Sequence, residues 1–110
     1  MNIINKLKNN KFTKDEILRC LDSSNPIVLY EVITCIVKNN ITDPIIVNKL
    51  IQLSELLSDE YKMLGYYKLG HVAMGALLKL GFDEEIVFKS DLDHFEKEMT
   101  IKFYRSNWEI

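Results

Sequence analysis

Two histidines and four glycines are the residues whose spacing could support catalysis or phosphate binding in this 110-residue chain. The glycines lie close together in the stretch GYYKLGHVAMGALLKLG, which ends at Gly81. A phosphate-binding loop needs glycine-rich backbone followed by Lys and then Ser or Thr, between a strand and a helix. Neither Lys68 nor Lys79 is followed by Ser or Thr, and no strand pattern precedes the stretch. We therefore interpret the glycines as small residues inside a long helix, where they let a neighbouring element approach closely.

His71 is placed by helical periodicity on one face with Tyr67, Met74 and Leu78. Buried polar side chains in proteins are generally hydrogen-bonded. On such an apolar face we expect a histidine with one satisfied hydrogen bond more often than a metal ligand.

His94 lies in the acidic stretch DLDHFEKE, with Asp91 three residues before it on the same predicted helical face. A di-metal carboxylate site in a helix bundle needs a Glu-x-x-His motif on each of two helices, plus further glutamates. The chain offers one such half, and that half begins with Asp. We therefore predict no metal site and no cofactor.

Cys20 and Cys35 are the two cysteines, and each has apolar neighbours on a helical pattern. They form no Cys-x-x-Cys pair, so the sequence supports neither a redox motif nor a zinc site. No Gly-x-Ser-x-Gly nucleophile elbow occurs either. We expect packed, reduced thiols, and we predict that the protein is not an enzyme.

Acidic residues are concentrated between positions 83 and 98, where seven carboxylates stand against two lysines. Four of them, Glu85, Asp91, Asp93 and Glu96, are candidates for contact with a basic protein partner, because complementary charge speeds association. The alternative is a solvated helix face whose acids are favoured near helix N-termini. An acidic surface repels phosphates, so nucleic-acid binding is not expected.

Helix signals dominate the chain that must position these residues. Thr13 and Glu16 have capping-box spacing. The pairs Asn25-Pro26 and Asp43-Pro44 each place a capping side chain before a proline at the first helical position. The segment that follows Asn25 is apolar on nearly every side, which is typical of a central buried helix, and its length favours a helix over the competing strand.

Further helical segments are predicted at 44–57, from Ser58 to Leu80 and from Ser90 or Asp91 onward, with a short piece after Asp83. Gly81 is expected to end the second of these. No segment alternates with period two for long, and no Asn-Gly or Asp-Gly hairpin turn occurs. The last helix has apolar residues at spacings of three, four and four, namely Leu92, Phe95, Met99 and Phe103. The sequence predicts an all-α fold of about six helices.

Length and composition indicate one globular domain spanning residues 1–110, with 47% hydrophobic residues and a net charge of −2. The N-terminus lacks the apolar core of a secretory signal, and no apolar stretch approaches the roughly 20 residues of a membrane span. We therefore expect a cytoplasmic protein that does not bind membranes. Tyr104 and Trp108 near the C-terminus are expected to fold back onto the core rather than form an exposed aromatic anchor.

A weak internal repeat relates CIVKNNITDPIIVNKL, starting at Cys35, to ALLKLGFDEEIVFKSDL, starting at Ala76. Each copy has a helix end, an apolar corner residue, an aspartate and a second amphipathic helix, at an offset of about 41 residues, within the range of helix-pair repeats. The pattern resembles a short HEAT-like array with helix pairs at 24–57 and 58–105 and capping helices at 1–22. The Asp and Arg ladder of HEAT repeats is absent, and a single irregular helix bundle remains the alternative.

Size, charge and helical architecture together resemble the small immunity proteins of bacterial toxin–immunity systems, including those of the contact-dependent inhibition type. The resemblance implies a non-catalytic protein that neutralises a toxin, such as a nuclease with a basic cleft. Glu85, Asp91, Asp93 and Glu96 would then mimic phosphates in that cleft. The alternative is a HEAT-like adaptor or regulatory subunit without a toxin, whose contacts come from Asn48, Gln52 and Glu55. The oligomeric state is left open.

Overall fold

Seven α-helices and one short hairpin make up residues 3–108, the part of the chain that this computed structural model describes, without the side chain of Leu64. This confirms the all-α prediction. None of the helices in this range is both long and apolar enough to cross a bilayer. The helices are α1 (Ile3–Lys8), α2 (Lys14–Leu21), α3 (Pro26–Lys38), α4 (Pro44–Leu53), α5 (Leu69–Lys79), α6 (Glu84–Val87) and α7 (His94–Asn107).

Helices α2, α3 and α4 begin where their capping residues predict. At α2 the Thr13 hydroxyl accepts from the Glu16 N–H at 3.2 Å, and the Glu16 carboxylate accepts from the Thr13 N–H at 3.0 Å. The side chains of Asn25 and Asp43 each accept, at 2.9 Å, from the backbone N–H two residues further on. These bonds satisfy amides that have no partner within the helix. The 26–38 segment is therefore helical, despite its β-branched residues.

Helix α5 lies at the centre of the molecule, and every residue from Leu69 to Leu77 is buried. It packs against α3, α4, α6 and α7, while α3 also packs against α1 and α2. The Cα radius of gyration is 13.1 Å, close to the roughly 13 Å expected for a compact domain of about 100 residues. The helices therefore form one compact, mainly α-helical globule.

The C-terminal aromatic residues fold back onto α5, as predicted. Trp108 is 7% exposed and Phe103 is fully buried. Their rings meet edge to face with centroids 4.8 Å apart, and Tyr67 meets Phe103 in the same way at 5.2 Å. Tyr104 is half-buried. Such edge-to-face pairs add stability beyond the area that they bury.

The predicted helix from Ser58 to Leu80 is wrong in its first half. A 3-10 turn at Asp59–Tyr61 leads into an antiparallel hairpin of β1 (Lys62–Leu64) and β2 (Tyr67–Lys68), and α5 begins only at Leu69. Gly65 in the connecting turn has φ of +59°, a left-handed conformation that ends any helix there. Tyr67 therefore lies on a strand and does not share a helical face with His71.

Two other helix boundaries differ from the prediction. Helix α4 ends at Leu53 rather than at residue 57, and α7 begins at His94 with Asp93 as its N-cap rather than at residue 90 or 91. Gly81 ends the α5 region with φ of +98°, as predicted. The short piece predicted after Asp83 is α6.

Gly70 is the position where the chain after α4 comes closest to α5. Its N–H donates to the Leu56 carbonyl oxygen at 2.9 Å. A Cβ at this position would lie 2.8 Å from the Ser54 carbonyl oxygen and 2.5 Å from a methyl carbon of Leu57. At Gly75 a Cβ would meet ring carbons of Phe103 and Trp108 at 3.2 and 3.3 Å. The interpretation of these glycines as close-approach residues holds for both positions.

We predict that Gly70→Ala lowers the free energy of unfolding by about 2 kcal/mol, since overpacking against backbone costs roughly 1–3 kcal/mol. Gly75→Ala is the matched control, because its contacts are less tight and alanine favours the helix by about 1 kcal/mol. Urea denaturation of both variants measures the difference. A Gly70→Ala protein as stable as the wild type would contradict the close-approach role of Gly70.

Candidate protein-binding surface

Helix α6 and the N-terminal half of α7 present carboxylates to solvent. Val87 anchors α6 in the core, whereas Glu84, Glu85 and Ile86 on the same short helix are exposed. Asp91 in the connection to α7 is also exposed. We call the exposed acids of this segment the acidic surface; it consists of Asp83, Glu84, Glu85, Asp91, Asp93 and Glu98.

Asp93 combines exposure with a structural role. Its carboxylate accepts from the Phe95 N–H at 2.9 Å and so caps α7. A negative charge at a helix N-terminus is also favoured by the helix dipole. Asp93 is therefore held in one place, and a substitution there would affect α7 as well as any partner.

The remaining candidates Gln52 and Glu55 lie at the end of α4, and both are exposed. The Glu55 carboxylate pairs with Lys89, which follows α6. Glu55, Lys89 and Asp91 line one cleft of about 250 Å³. The two surfaces that the sequence assigned to different functions are thus next to each other.

Glu96 is the candidate that the structure separates from the acidic surface. Its side chain is 15% exposed, and its carboxylate oxygen lies 3.2 Å from Nε2 of His71, which is fully buried. Nδ1 of His71 accepts from the Lys68 N–H at 3.0 Å. Because Nδ1 accepts, the ring hydrogen of the neutral form lies on Nε2 and is donated to Glu96. His71 therefore has two hydrogen bonds where one was expected.

The register of α7 explains this placement. The sequence pattern put Phe95 on the core face, but Phe95 is 56% exposed. Phe103 is buried as predicted, together with Thr100, which was not on the predicted face. Glu96 lies on the same side of the helix, one turn before Thr100. In the first turn of α7, the side chain that faces the core is therefore Glu96 and not the predicted Phe95, a shift of one residue.

Burial lowers the pKa of His71 from its ordinary value of 6.5, and the neighbouring Glu96 carboxylate opposes that shift. Lys68 adds to the lowering through its charge. Above this lowered pKa the ring is neutral, which matches its hydrogen bond from the Lys68 N–H. The pair His71–Glu96 is a structural link between the start of α5 and the start of α7.

The cysteines and His94 were also considered as residues for thiol chemistry or metal binding. Cys20 and Cys35 are free and buried, and burial raises the pKa of both thiols, which disfavours the reactive thiolate. His94 is exposed and pairs with Glu98 at 2.9 Å. Across residues 3–108, no group of three or more His, Cys, Asp or Glu side chains is arranged to hold a metal ion.

Two exposed apolar side chains were missed as candidate contact residues. Ile86 is 60% exposed and Phe95 is 56% exposed, and both lie within the acidic segment 83–98. Glu84 and Glu98 were counted among the seven carboxylates of residues 83–98 but were not named as contact residues, and both belong to the acidic surface. In the sequence, Phe95 fits a core spacing, so nothing in the pattern alone could identify it as exposed.

No protein-family model matches this chain, and no curated protein or solved structure is significantly similar to it. The surface must therefore be interpreted from its own geometry.

We predict that His71 makes the protein less stable in mild acid. The unfolded chain binds a proton near pH 6.5, whereas the folded chain binds it only at lower pH. The stability that neutral His71 contributes is thus present above pH 6.5 and is lost as the pH falls below it. His71→Gln should reduce the fall in unfolding free energy between about pH 7 and 5, by up to about 1.4 kcal/mol per pH unit.

Urea denaturation at several pH values measures this effect. His94→Gln is the control for the loss of one histidine, because it removes an exposed side chain rather than the buried one. If the unfolding free energies of the wild type and the His71→Gln variant depended equally on pH, His71 would not be the residue that destabilises the protein in mild acid.

Proposed function

We propose that this protein is a non-catalytic binding protein that uses its acidic surface to bind a basic protein partner. Electrostatic complementarity of this kind steers encounter and disfavours partners of the wrong charge. The same charge disfavours nucleic acids, whose phosphates would be repelled.

The observation that carries the proposal is the combination of exposed acids with exposed apolar side chains in one segment. Ile86 and Phe95 are among the five large hydrophobic residues that are prominently exposed in the described part of the chain. Aromatic side chains are enriched in protein interfaces and often contribute most of their binding energy. Acids around them would supply charge complementarity, while Ile86 and Phe95 would supply buried apolar area.

The most specific form of the proposal is an immunity protein that neutralises a toxin, for instance a nuclease with a basic cleft. Small size, an all-helical fold and an acidic surface support this form. Glu85, Asp91 and Asp93 would mimic substrate phosphates, and Glu96 would hold His71 in place behind them. A cytoplasmic location belongs to the proposal and agrees with two free, buried cysteines.

A HEAT-like adaptor or regulatory subunit is the second candidate. It is supported by the exposure of its three contact residues, Asn48, Gln52 and Glu55. Exposed Asn48 and Gln52 on α4 would then form the main contact. In this case the partner need not be a toxin.

The first test is recovery of the tagged protein from the cells that produce it, followed by titration with the partner that co-purifies in fixed stoichiometry. We expect the Glu84→Lys/Glu85→Lys variant to weaken the affinity roughly 100-fold, because like charges juxtaposed in an interface cost several kcal/mol. The association rate of the wild type should fall as ionic strength rises.

Asp15→Lys/Glu60→Lys is the matched control, since it changes the net charge equally at exposed acids elsewhere. It should alter the affinity by less than about fivefold, as long-range effects between exposed charges are largely screened. Equal effects of the two double variants would show that the acidic surface is not the binding site.

Asn48→Ala/Gln52→Ala separates the two candidate functions, because it truncates both side chains without changing the charge. If Asn48 and Gln52 form the main contact, this double substitution should weaken binding about tenfold or more, in line with loss of central interface residues. If the acidic surface is the main contact, Asn48→Ala/Gln52→Ala should change the affinity little. The same titration, with the same partner, measures both outcomes.

A further inference from the structure

An open groove separates α6 from α7 and has an apolar floor. Phe88, which ends α6, and Ile101 of α7 form the floor, and the groove has a volume of about 360 Å³. A neighbouring cleft of about 270 Å³ shares Glu84 and Ile101 with it and is further lined by Leu78, Tyr104 and Arg105. Apolar side chains therefore continue beyond the groove, and one cation, Arg105, lies in the neighbouring cleft rather than in the groove itself.

The rim of the groove is predominantly anionic. Glu84 and Glu85 stand on the α6 side, and Glu98 stands on the α7 side beside His94. Lys97 is the one basic residue among the residues that line the groove. Among the described residues, the carboxylates of Glu84 and Glu85 have neither an ion-pair partner nor a hydrogen-bond donor.

A groove with this lining suits a side chain that is apolar along its length and positively charged at its end. Lysine and arginine have such side chains, which bury a methylene stem while the charged head stays near solvent. An anionic side chain would be repelled by the rim. A purely apolar side chain would bring no charge to the unpaired carboxylates.

We propose that the α6–α7 groove binds a lysine or arginine side chain of the basic partner. The methylene stem packs against Phe88 and Ile101, and the charged head lies among the carboxylates of Glu84, Glu85 and Glu98. This inference rests on the proposed function and specifies how the acidic surface recognises its partner. It also assigns a binding role to Phe88, Ile101 and Glu98.

Small probes test the groove without the partner. Amide and methyl NMR spectra of the labelled protein are recorded during titration with n-pentylammonium, 1-pentanol and pentanoate, which share one chain length. We expect n-pentylammonium to shift the signals of Phe88, Ile101 and Glu98 at millimolar concentration, at least fivefold more than 1-pentanol does. Pentanoate should leave these signals in place.

A rim without its carboxylate charges provides the matched variant. Glu84→Gln/Glu85→Gln/Glu98→Gln keeps the shape of the groove, and it should remove the preference for n-pentylammonium over 1-pentanol. Loss of that preference supports the assignment. Equal shifts by the ammonium and the carboxylate in the wild type, or an unchanged preference in the variant, would overturn it.

The groove and the proposed function can fail separately. The function fails if the partner binds the Glu84→Lys/Glu85→Lys variant as tightly as the wild type. The groove assignment fails if the probe titration shows no preference for n-pentylammonium that depends on the carboxylates, and this result does not depend on the partner experiment.

Discussion

Burial of α5 on every side imposes the constraint to which the other elements adapt. A helix with no solvent face must satisfy every polar side chain inside the protein and leave room for its neighbours. The polar requirement falls on His71, which accepts from the Lys68 N–H and donates to Glu96. The spatial requirement is met at Gly70 and Gly75, where the chain after α4 and the C-terminal aromatic rings pack closely.

The face that α7 turns toward the core also separates Glu96 from the other acids. Thr100 and Phe103 are buried on this face, and Glu96 on the same side lies 3.2 Å from the buried His71 ring. Phe95 and Glu98 lie on other sides of α7 and are exposed. The packing of α7 on the core thus decides which of its residues belong to the surface to which we assign partner binding.

Buried anchors and a capping bond position the acids of this surface. Glu84 and Glu85 lie on α6, which is anchored by buried Val87, and Glu98 lies on α7, which is anchored by buried Phe103. Asp93 is held by its capping bond. A surface that is ordered before binding loses less conformational entropy when a partner docks. Ion pairs such as Glu55–Lys89 lie at its margin, where exposed pairs contribute little stability. Apart from Asp93, which caps α7, the acids are therefore better explained by recognition or solvation than by folding.

Local chemistry in the sequence determined the all-α class and the starts of α2, α3 and α4, because a cap and its helix lie within a few residues of each other. It also determined the acidic character of residues 83–98. Only the tertiary structure decided that Glu96 faces His71, that Phe95 faces solvent and that Glu55 meets Lys89, since these contacts join residues far apart in the chain. The hairpin at Gly65, where a helix was predicted, also depends on contacts with distant parts of the chain. Its residues show no strand periodicity, and their conformation depends on the left-handed turn and on the packing of the chain against α5.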